Sequence, residues 1–218
     1  KLVTYSDNGK EQLAFYINES LYSTNAANSS LPATMAELLN NWEATIEAMR
    51  ATEADIKSGK NTASGIPYAG AAILAPVPRP TSCRDGYAFR QHVASARRNR
   101  KVDMIPEFDQ YPIFYFTNHN AIQGPGPIPC MPDHFKKLDF ELEASIVICK
   151  KGRNIKAAEA DEYIGGYMIM NDMSARTLQM EEMLLNLGPA KGKDFSTVIG
   201  PYMVTPDELV NFNKSAKP

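Results

Sequence analysis

The segment Asp139-Phe-Glu141-Leu-Glu143-Ala-Ser-Ile-Val-Ile148 alternates acids with apolar residues. Side chains alternate across a strand, so Asp139, Glu141 and Glu143 share one face, continued by Ser145 and Val147. Phe140, Leu142, Ala144, Ile146 and Ile148 share the other, and this clean apolar stripe predicts that the strand lays that face on the core. Glu141 and Glu143 then stand about 6.6 Å apart at Cα. Carboxylates so close repel unless they converge on a cation. The motif therefore reads either as a solvated acidic face or as part of a cation site.

Three further segments carry polar groups at usable spacings. In Gly165-Gly-Tyr-Met-Ile-Met-Asn171-Asp172-Met-Ser-Ala-Arg176, an apolar run stops abruptly at Asn171-Asp172. A strand end opening into a helix is a usual place for functional groups, although Asp172 reads equally well as the cap of that helix. Arg176 and Gln179, three residues apart, share a helical face. In Asp85-Gly-Tyr87-Ala-Phe-Arg-Gln-His92, seven residues make nearly two turns, which places Asp85 and His92 on one face about 10 Å apart along the axis. A lone histidine is more often structural than catalytic, and neither His119 nor His134 has metal-ligand spacing to a partner. The glycine-flanked stretch from Leu187 to Pro201 fails the phosphate-loop spacing, yet its turn can present Lys193 and Thr197 inward.

Several elements must position these groups. Residues 1–30 read as short strands and turns. Thr34-Met-Ala-Glu37 is a capping box, opening one helix with Met35, Leu38, Leu39, Trp42, Ile46 and Met49 on its apolar face and its end near Gly59. Trp42 reads as core. Residues 71–80 read as a buried strand running into a proline-punctuated turn, which divides an N-terminal module (1–70) from the main domain (71–218). A helix follows within 86–101, then strands at 112–117, 139–150 and 163–170, a helix at 174–187 stopped by Gly188-Pro189, a loop over 188–200, a strand at 200–206 and a frayed end. Strands outnumber helices without regular alternation, so the class is α+β, strand-rich.

Composition narrows the function classes. The 218 residues are 44% hydrophobic and 22% charged, which excludes a disordered or collagen-like chain. The 23 Lys+Arg against 25 Asp+Glu give a net charge of −2, so nothing overall favours nucleic acid or an acidic membrane. No apolar run approaches the ~18–20 residues of a membrane span, and the first residues lack the apolar core of a signal peptide. Cys83, Cys130 and Cys149 are odd in number and lack CxxC spacing. A disulfide framework or a cysteine zinc site is therefore not expected, and a reducing cytoplasm is the simplest compartment.

Over about 72–209 the chain resembles the fumarylacetoacetate hydrolase (fumarylacetoacetase) family. The shared text is Asp-x-Tyr-x-x-x-Gln-His at 85–92, Glu-x-Glu at 141–143, Asn-Asp-x-Ser-Ala-Arg-x-x-Gln at 171–179 and Leu-Gly-Pro-x-x-Gly-Lys-x-Phe-x-Thr at 187–197. The resemblance implies a mixed β-sandwich roll behind a small N-terminal α/β module, usually dimeric. It implies that Asp85, Glu141, Glu143 and Asp172 bind a metal, with Lys193 and Thr197 lining the same site. His92 is then the base that activates water, and Tyr87, Arg176 and Gln179 contact substrate. Oxygen-only ligands suit Mg²⁺, Ca²⁺ or Mn²⁺ rather than zinc.

The implied activity is hydrolysis of a C–C bond in a β-diketo acid, fumarylacetoacetate or acylpyruvate-like. A metal-polarised carbonyl is attacked by His-activated water, and Lys193 and Gln179 stabilise the developing alkoxide. Oxaloacetate decarboxylation or tautomerisation, dienoate hydration, and a non-catalytic metal-binding homologue are the alternatives. Lys101, with Arg100 beside it, stands where the family has a substrate-binding Arg, and Met183 stands near a substrate Tyr. Family members continue well past the segment matching Met203 to Leu209, so the resemblance implies that the catalytic β-structure is incomplete here, including a Glu that partners the histidine.

Overall fold

The computed structural model describes residues 1–212. Local turn chemistry builds its first sheet. Strands β1 (Leu2–Asp7) and β2 (Lys10–Ile17) are joined by Asn8-Gly9, both at positive φ (48° and 80°). That is the backbone a two-residue hairpin with right-handed strand twist demands, and Asn-Gly supplies it cheaply. Asn18-Glu19, also at positive φ, turns β2 into β3 (Ser20–Ser23).

The short helix α1 (Thr24–Ala27) leads to α2 (Met35–Asn40), which carries the expected capping box between Thr34 and Glu37. The single helix read from the apolar spacing is in fact two. Asn41 leaves helical geometry (φ −127°, ψ 29°), and α3 (Trp42–Lys57) starts after it. The break lets Met35 and Leu38 on one segment, and Met49 and Ile56 on the other, face the same core. Trp42 packs on that core, over Gly165; a Cβ there would stand 3.2 Å from the Trp42 ring.

Two short strands, β4 (Ile66–Pro67) and β5 (Ala72–Ile73), complete a five-stranded sheet of order β4-β3-β2-β1-β5. The strand read over 71–80 thus shrinks to two residues, and its prolines explain why: they lack the N–H a ladder needs. Next come β6 (Cys83–Asp85), α4 (Arg90–Asn99) and β7 (Tyr115–Thr117), with β6 and β7 paired as a two-stranded ribbon. Asp85 ends a strand instead of sharing a helix with His92, so the one-face relation expected of that pair does not hold.

The second large sheet has the order β8-β11-β10-β9, from β8 (Ile122–Gln123), β9 (Leu138–Ile148), β10 (Ile164–Ala175) and β11 (Thr197–Ile199). Helix α5 (Arg176–Met183) starts directly from β10. Three expectations are corrected here. β10 runs on through Asn171-Asp172 to Ala175, so Asp172 is a strand residue and not a helix cap; the cap position is Ala175. The last strand lies at Thr197–Ile199 inside the expected loop, and 200–206 contributes only single bridges, Leu2 to Met203 and Tyr167 to Val204. Of the expected frayed end, the residues from 213 on lie outside the described residues.

One core joins the sheets: Leu2, Leu13, Phe15, Leu38 and Met49 pack with Val147, Met168, Met170, Ile199 and Met203. The apolar stripe of β9 is not part of it. Val147 points in on the acidic side of the strand, whereas Phe140 is 62% and Leu142 73% exposed, with Ile146 and Ile148 also exposed. The expectation that this stripe faces the core is overturned: the face carrying Glu141 and Glu143 is the inner one. No helix among the described residues is long and apolar enough to cross a membrane.

Candidate metal centre

The β9–β10 ladder sets the frame. Its register places Asp172 opposite Glu141 and Met170 opposite Glu143, and β11 brings Thr197 opposite Asp172 on the other side. Asp85 arrives from the end of β6. One carboxylate oxygen each from Asp85, Glu143 and Asp172 lies within 4.8 Å of the other two. Asp172 is almost wholly buried, and its Oδ1 has no hydrogen-bond partner among the described residues. A buried, unpartnered carboxylate oxygen on an acid grouped with two others is costly without a cation. Three hard oxygen donors, one of them on a residue with an unpartnered oxygen, fit a divalent cation of the Mg²⁺, Ca²⁺ or Mn²⁺ type.

The electrostatics agree. Burial, reinforced by the Asp172 charge, pushes the Asp85 carboxyl up to about 6. Burial, with Asp85 and Asp172 next, pushes Glu143 up to about 7. Burial also raises Asp172, against the pull of Lys193. Carboxyls raised by burial and, after it, by neighbouring like charges are candidates for a functional site.

Glu141 behaves differently. Its Oε2 accepts from Lys193 Nζ at 2.7 Å and its Oε1 from Arg176 Nη1 at 2.7 Å. Burial works against its charge, yet these two cations outweigh it and hold the carboxyl below the ordinary range. Of the four carboxylates expected at the metal, the structure gathers three, and the fourth is engaged by basic side chains. Lys193 is buried and also donates to Asp172. Arg176 is shared among Asp139 (2.9 Å), Glu141 and Gln179 (3.0 Å), so the helical face read for Arg176 and Gln179 exists.

A close backbone approach aims Lys193. A Cβ on Gly192 would come within 2.6 Å of Gln179 N, so only glycine lets the loop sit against α5. Ala175 N donates to Gly192 O at 2.8 Å. The Glu182 carboxylate accepts from the backbone N–H groups of Ala190, Lys191 and Gly192, at 3.0, 2.6 and 3.1 Å.

The remaining expected residues stand apart from the cluster. His92 is exposed on α4, with no hydrogen bond to its side chain among the described residues. Tyr87, 48% exposed, stacks on Phe108 at 5.9 Å in an open cleft of about 340 Å³. Lys101 and Met183 are exposed. Two residues went unread in the sequence. Tyr115 places its hydroxyl 3.2 Å from Asp85 Oδ2 and 3.0 Å from Asp172 Oδ2; burial and the two acids push its ionisation well above the usual tyrosine range, so it remains a donor. Glu182 is the other. Neither belongs to a motif, and the only signal for Tyr115 was a tyrosine within an apolar strand.

A strand-rich α+β fold that gathers oxygen donors from two sheets beside a buried lysine makes a candidate hard-cation site. The chain belongs to the fumarylacetoacetate hydrolase family: the profile of the family's C-terminal domain matches residues 81–216. It is 31% identical over 196 residues to an oxaloacetate tautomerase, FAHD2A, mitochondrial, of Bos taurus, covering 86% of this chain and 55% of that protein. It is also 46% identical over 84 residues to a fumarylacetoacetase of Oryza sativa subsp. japonica, covering 37% of this chain and 19% of that one. The chain therefore spans about half the length of the bovine relative. In fold it resembles maleylpyruvate hydrolase from Sphingobium sp. SYK-6 (TM-score 0.63, 20% identity, covering 96% of this chain and 69% of that one). That protein has also been crystallised with a manganese (II) ion and pyruvate (TM-score 0.63, 19% identity, 94% of this chain and 67% of that one).

Proposed function

We propose that the chain is a metal-dependent enzyme of short 2-oxo acids working through enol chemistry, with keto–enol tautomerisation of an oxaloacetate-like substrate as its leading activity. One observation carries this reading. The cation cluster and Lys193 are assembled, while the water-activating candidate, His92, stands exposed outside it. Tautomerisation consumes no water: its α-carbon proton can pass to solvent and be returned by it once a cation and Lys193 stabilise the enolate, whereas hydrolysis needs a water held and activated for attack. The similarity to the bovine tautomerase points the same way.

Asp85, Glu143 and Asp172 would hold the cation, with Thr197 beside Asp172. When bound, such a cation polarises a carbonyl and offsets the charge that develops on its oxygen. Lys193, fixed by Glu141 and Asp172, sets a buried positive charge where an enolate oxygen can rest. Arg176, held by Asp139 and Glu141, keeps the acidic rim neutralised, and Gln179 is oriented by Arg176.

Hydrolysis of a β-diketo acid is the second reading. It is favoured by the Asp85-to-His92 motif and by the similarity to the rice fumarylacetoacetase. Purified chain with Mn²⁺, offered oxaloacetate, an acylpyruvate and fumarylacetoacetate, separates the two by product NMR. Faster enol–keto exchange of oxaloacetate without cleavage supports the first. Cleavage of a diketo acid replaces it with the second, release of carbon dioxide points to decarboxylation, and metal binding without turnover leaves a binding protein.

We further propose that two copies of the chain join over the outer face of β9. This strand of 11 residues is the edge of its sheet and exposes Phe140, Leu142, Ile146 and Ile148, beside exposed Ile169 on β10. Long apolar edges invite pairing. The chain alone exposes 14255 Å², where a compact chain of this mass exposes roughly 10,000 Å². That excess more than covers one copy's share of a standard interface, about 800 Å². The free thiols suit a reducing compartment, cytoplasmic in the simplest case.

A further inference from the structure

We infer that Tyr115 is a positioning residue that fixes Asp85 and Asp172 relative to each other, so that the cation site is shaped before a cation arrives. This rests on the metal reading above and extends it to a residue outside the family motifs quoted. Asp85 and Asp172 come from different sheets. Strand β6 pairs with β7 only, and β10 pairs with β9 and β11. No ladder hydrogen bond sets the distance between the two acids, and a two-stranded ribbon is marginal by itself.

Tyr115 supplies the missing tie. The β6–β7 register places it directly opposite Asp85, with both side chains on one face. Its one hydroxyl proton is shared between Asp85 Oδ2 at 3.2 Å and, across the gap between sheets, Asp172 Oδ2 at 3.0 Å. Lys193 holds the same Asp172 oxygen. Oδ2 of Asp172 is thus occupied by two donors, and Oδ1, unpartnered, is the oxygen left to offer. Fixing one oxygen of a carboxylate so that the other faces the metal is what outer-shell donors do.

The approach of the ribbon is close as well. A Cβ on Gly86 would meet Ile113 O at 2.7 Å, so the chain leaving Asp85 has no room to shift toward β7. Together the glycine contact and the phenol hold Asp85 from two sides.

The test is Tyr115→Phe in the full chain, which keeps the ring and removes one oxygen. Mn²⁺ affinity is read from the electron paramagnetic resonance of free Mn²⁺, and metal-free thermal unfolding is read beside it. The expected result is affinity weaker by about 10–100-fold, with metal-free unfolding close to wild type. A cycle with Asp85→Asn guards against a purely structural effect. If Tyr115 acts by setting Asp85 against Asp172, Tyr115→Phe weakens binding less in the Asp85→Asn background than in wild type. Tyr115→Phe affinity within twofold of wild type, or losses that add in the double variant, overturns the role of Tyr115. Wild type that takes up no Mn²⁺ overturns the metal reading and this inference together. Wild-type uptake that is lost in Glu143→Gln while Tyr115→Phe stays unchanged overturns this inference alone.

Discussion

Asp172 lies directly opposite Glu141 across the β9–β10 ladder, and both carboxylates grip one ammonium, that of Lys193. Ladder pairing fixes the acids at neighbouring positions, and the lysine enters from a loop in a later part of the chain. Lys193→Met is therefore expected to leave Asp172 buried without its cation. Breaking such a pair costs about 3–5 kcal/mol when the remaining charge stays, and less at low pH, where Asp172 takes a proton. Turnover of the proposed 2-oxo acid substrate is expected to fall about 10²–10³-fold. Urea unfolding at pH 5 and pH 8, with steady-state kinetics, checks both; wild-type rates in the variant would remove Lys193 from the chemistry.

A pH signature follows from Glu143. Its carboxyl rises from the ordinary 4.5 to about 7 in the folded chain. The metal-free fold thus holds a proton that the unfolded chain releases, so stability declines as pH climbs from the unfolded value through about 7. Asp85, raised to about 6, acts in the same sense. Glu143→Gln is expected to unfold about 2–4 °C above wild type at pH 8 without metal, equivalent to about 1 kcal/mol, with the gap closing near pH 4.5. Added Mn²⁺ should raise the wild type and leave the variant unmoved. A gap that widens toward acid would contradict the crowding of these carboxyls.

Glu182 takes three backbone N–H groups of the loop before Lys193. Glu182→Ala is expected to expose the amides of Ala190, Lys191 and Gly192 to fast hydrogen exchange and to cost about 1–3 kcal/mol. Turnover should drop as Lys193 loses its aim. Gly192→Ala reaches the same end by collision with α5 at Gln179, at a cost of about 1–3 kcal/mol. Unchanged exchange in both variants would show that the loop is held elsewhere.

Leu142, 73% exposed on the outer face of β9, tests the assembly. Light scattering coupled to size exclusion is expected to give a dimer for wild type and a monomer for Leu142→Glu, because a charge on a buried apolar interface is left unpaired. A wild-type monomer at tens of micromolar would dismiss the second copy as the cover for this face.

Strand β9 shows how far periodicity reaches. Alternation sorted Glu141 and Glu143 from Phe140 and Leu142 correctly, because side chains on a pleated strand alternate whatever surrounds them. It could not say which set points inward. Hydrophobicity suggests the apolar set, and in the structure the acids take the inside because Lys193 and Arg176, remote in sequence, neutralise them there. The capping box of Thr34 and Glu37 and the shared helical face of Arg176 and Gln179 were legible, since each depends on residues a few positions apart. The break at Asn41 and the extension of β10 past Asp172 were not, because packing on a common core and pairing with β9 overrode local preference.

By itself the sequence determined the inventory of this protein: acids at 85, 141, 143 and 172, the lysine at 193, and the motifs that mark the family. Tertiary structure alone decided the grouping, with Asp85, Glu143 and Asp172 at the cluster, Glu141 given to Arg176 and Lys193, Tyr115 drawn in and His92 left exposed. The physical reason is range. Motifs record chemistry and local backbone preference, whereas distances between residues 30 to 90 positions apart are set by sheet register and close contacts such as Gly192 against Gln179, which exist only once the chain has folded.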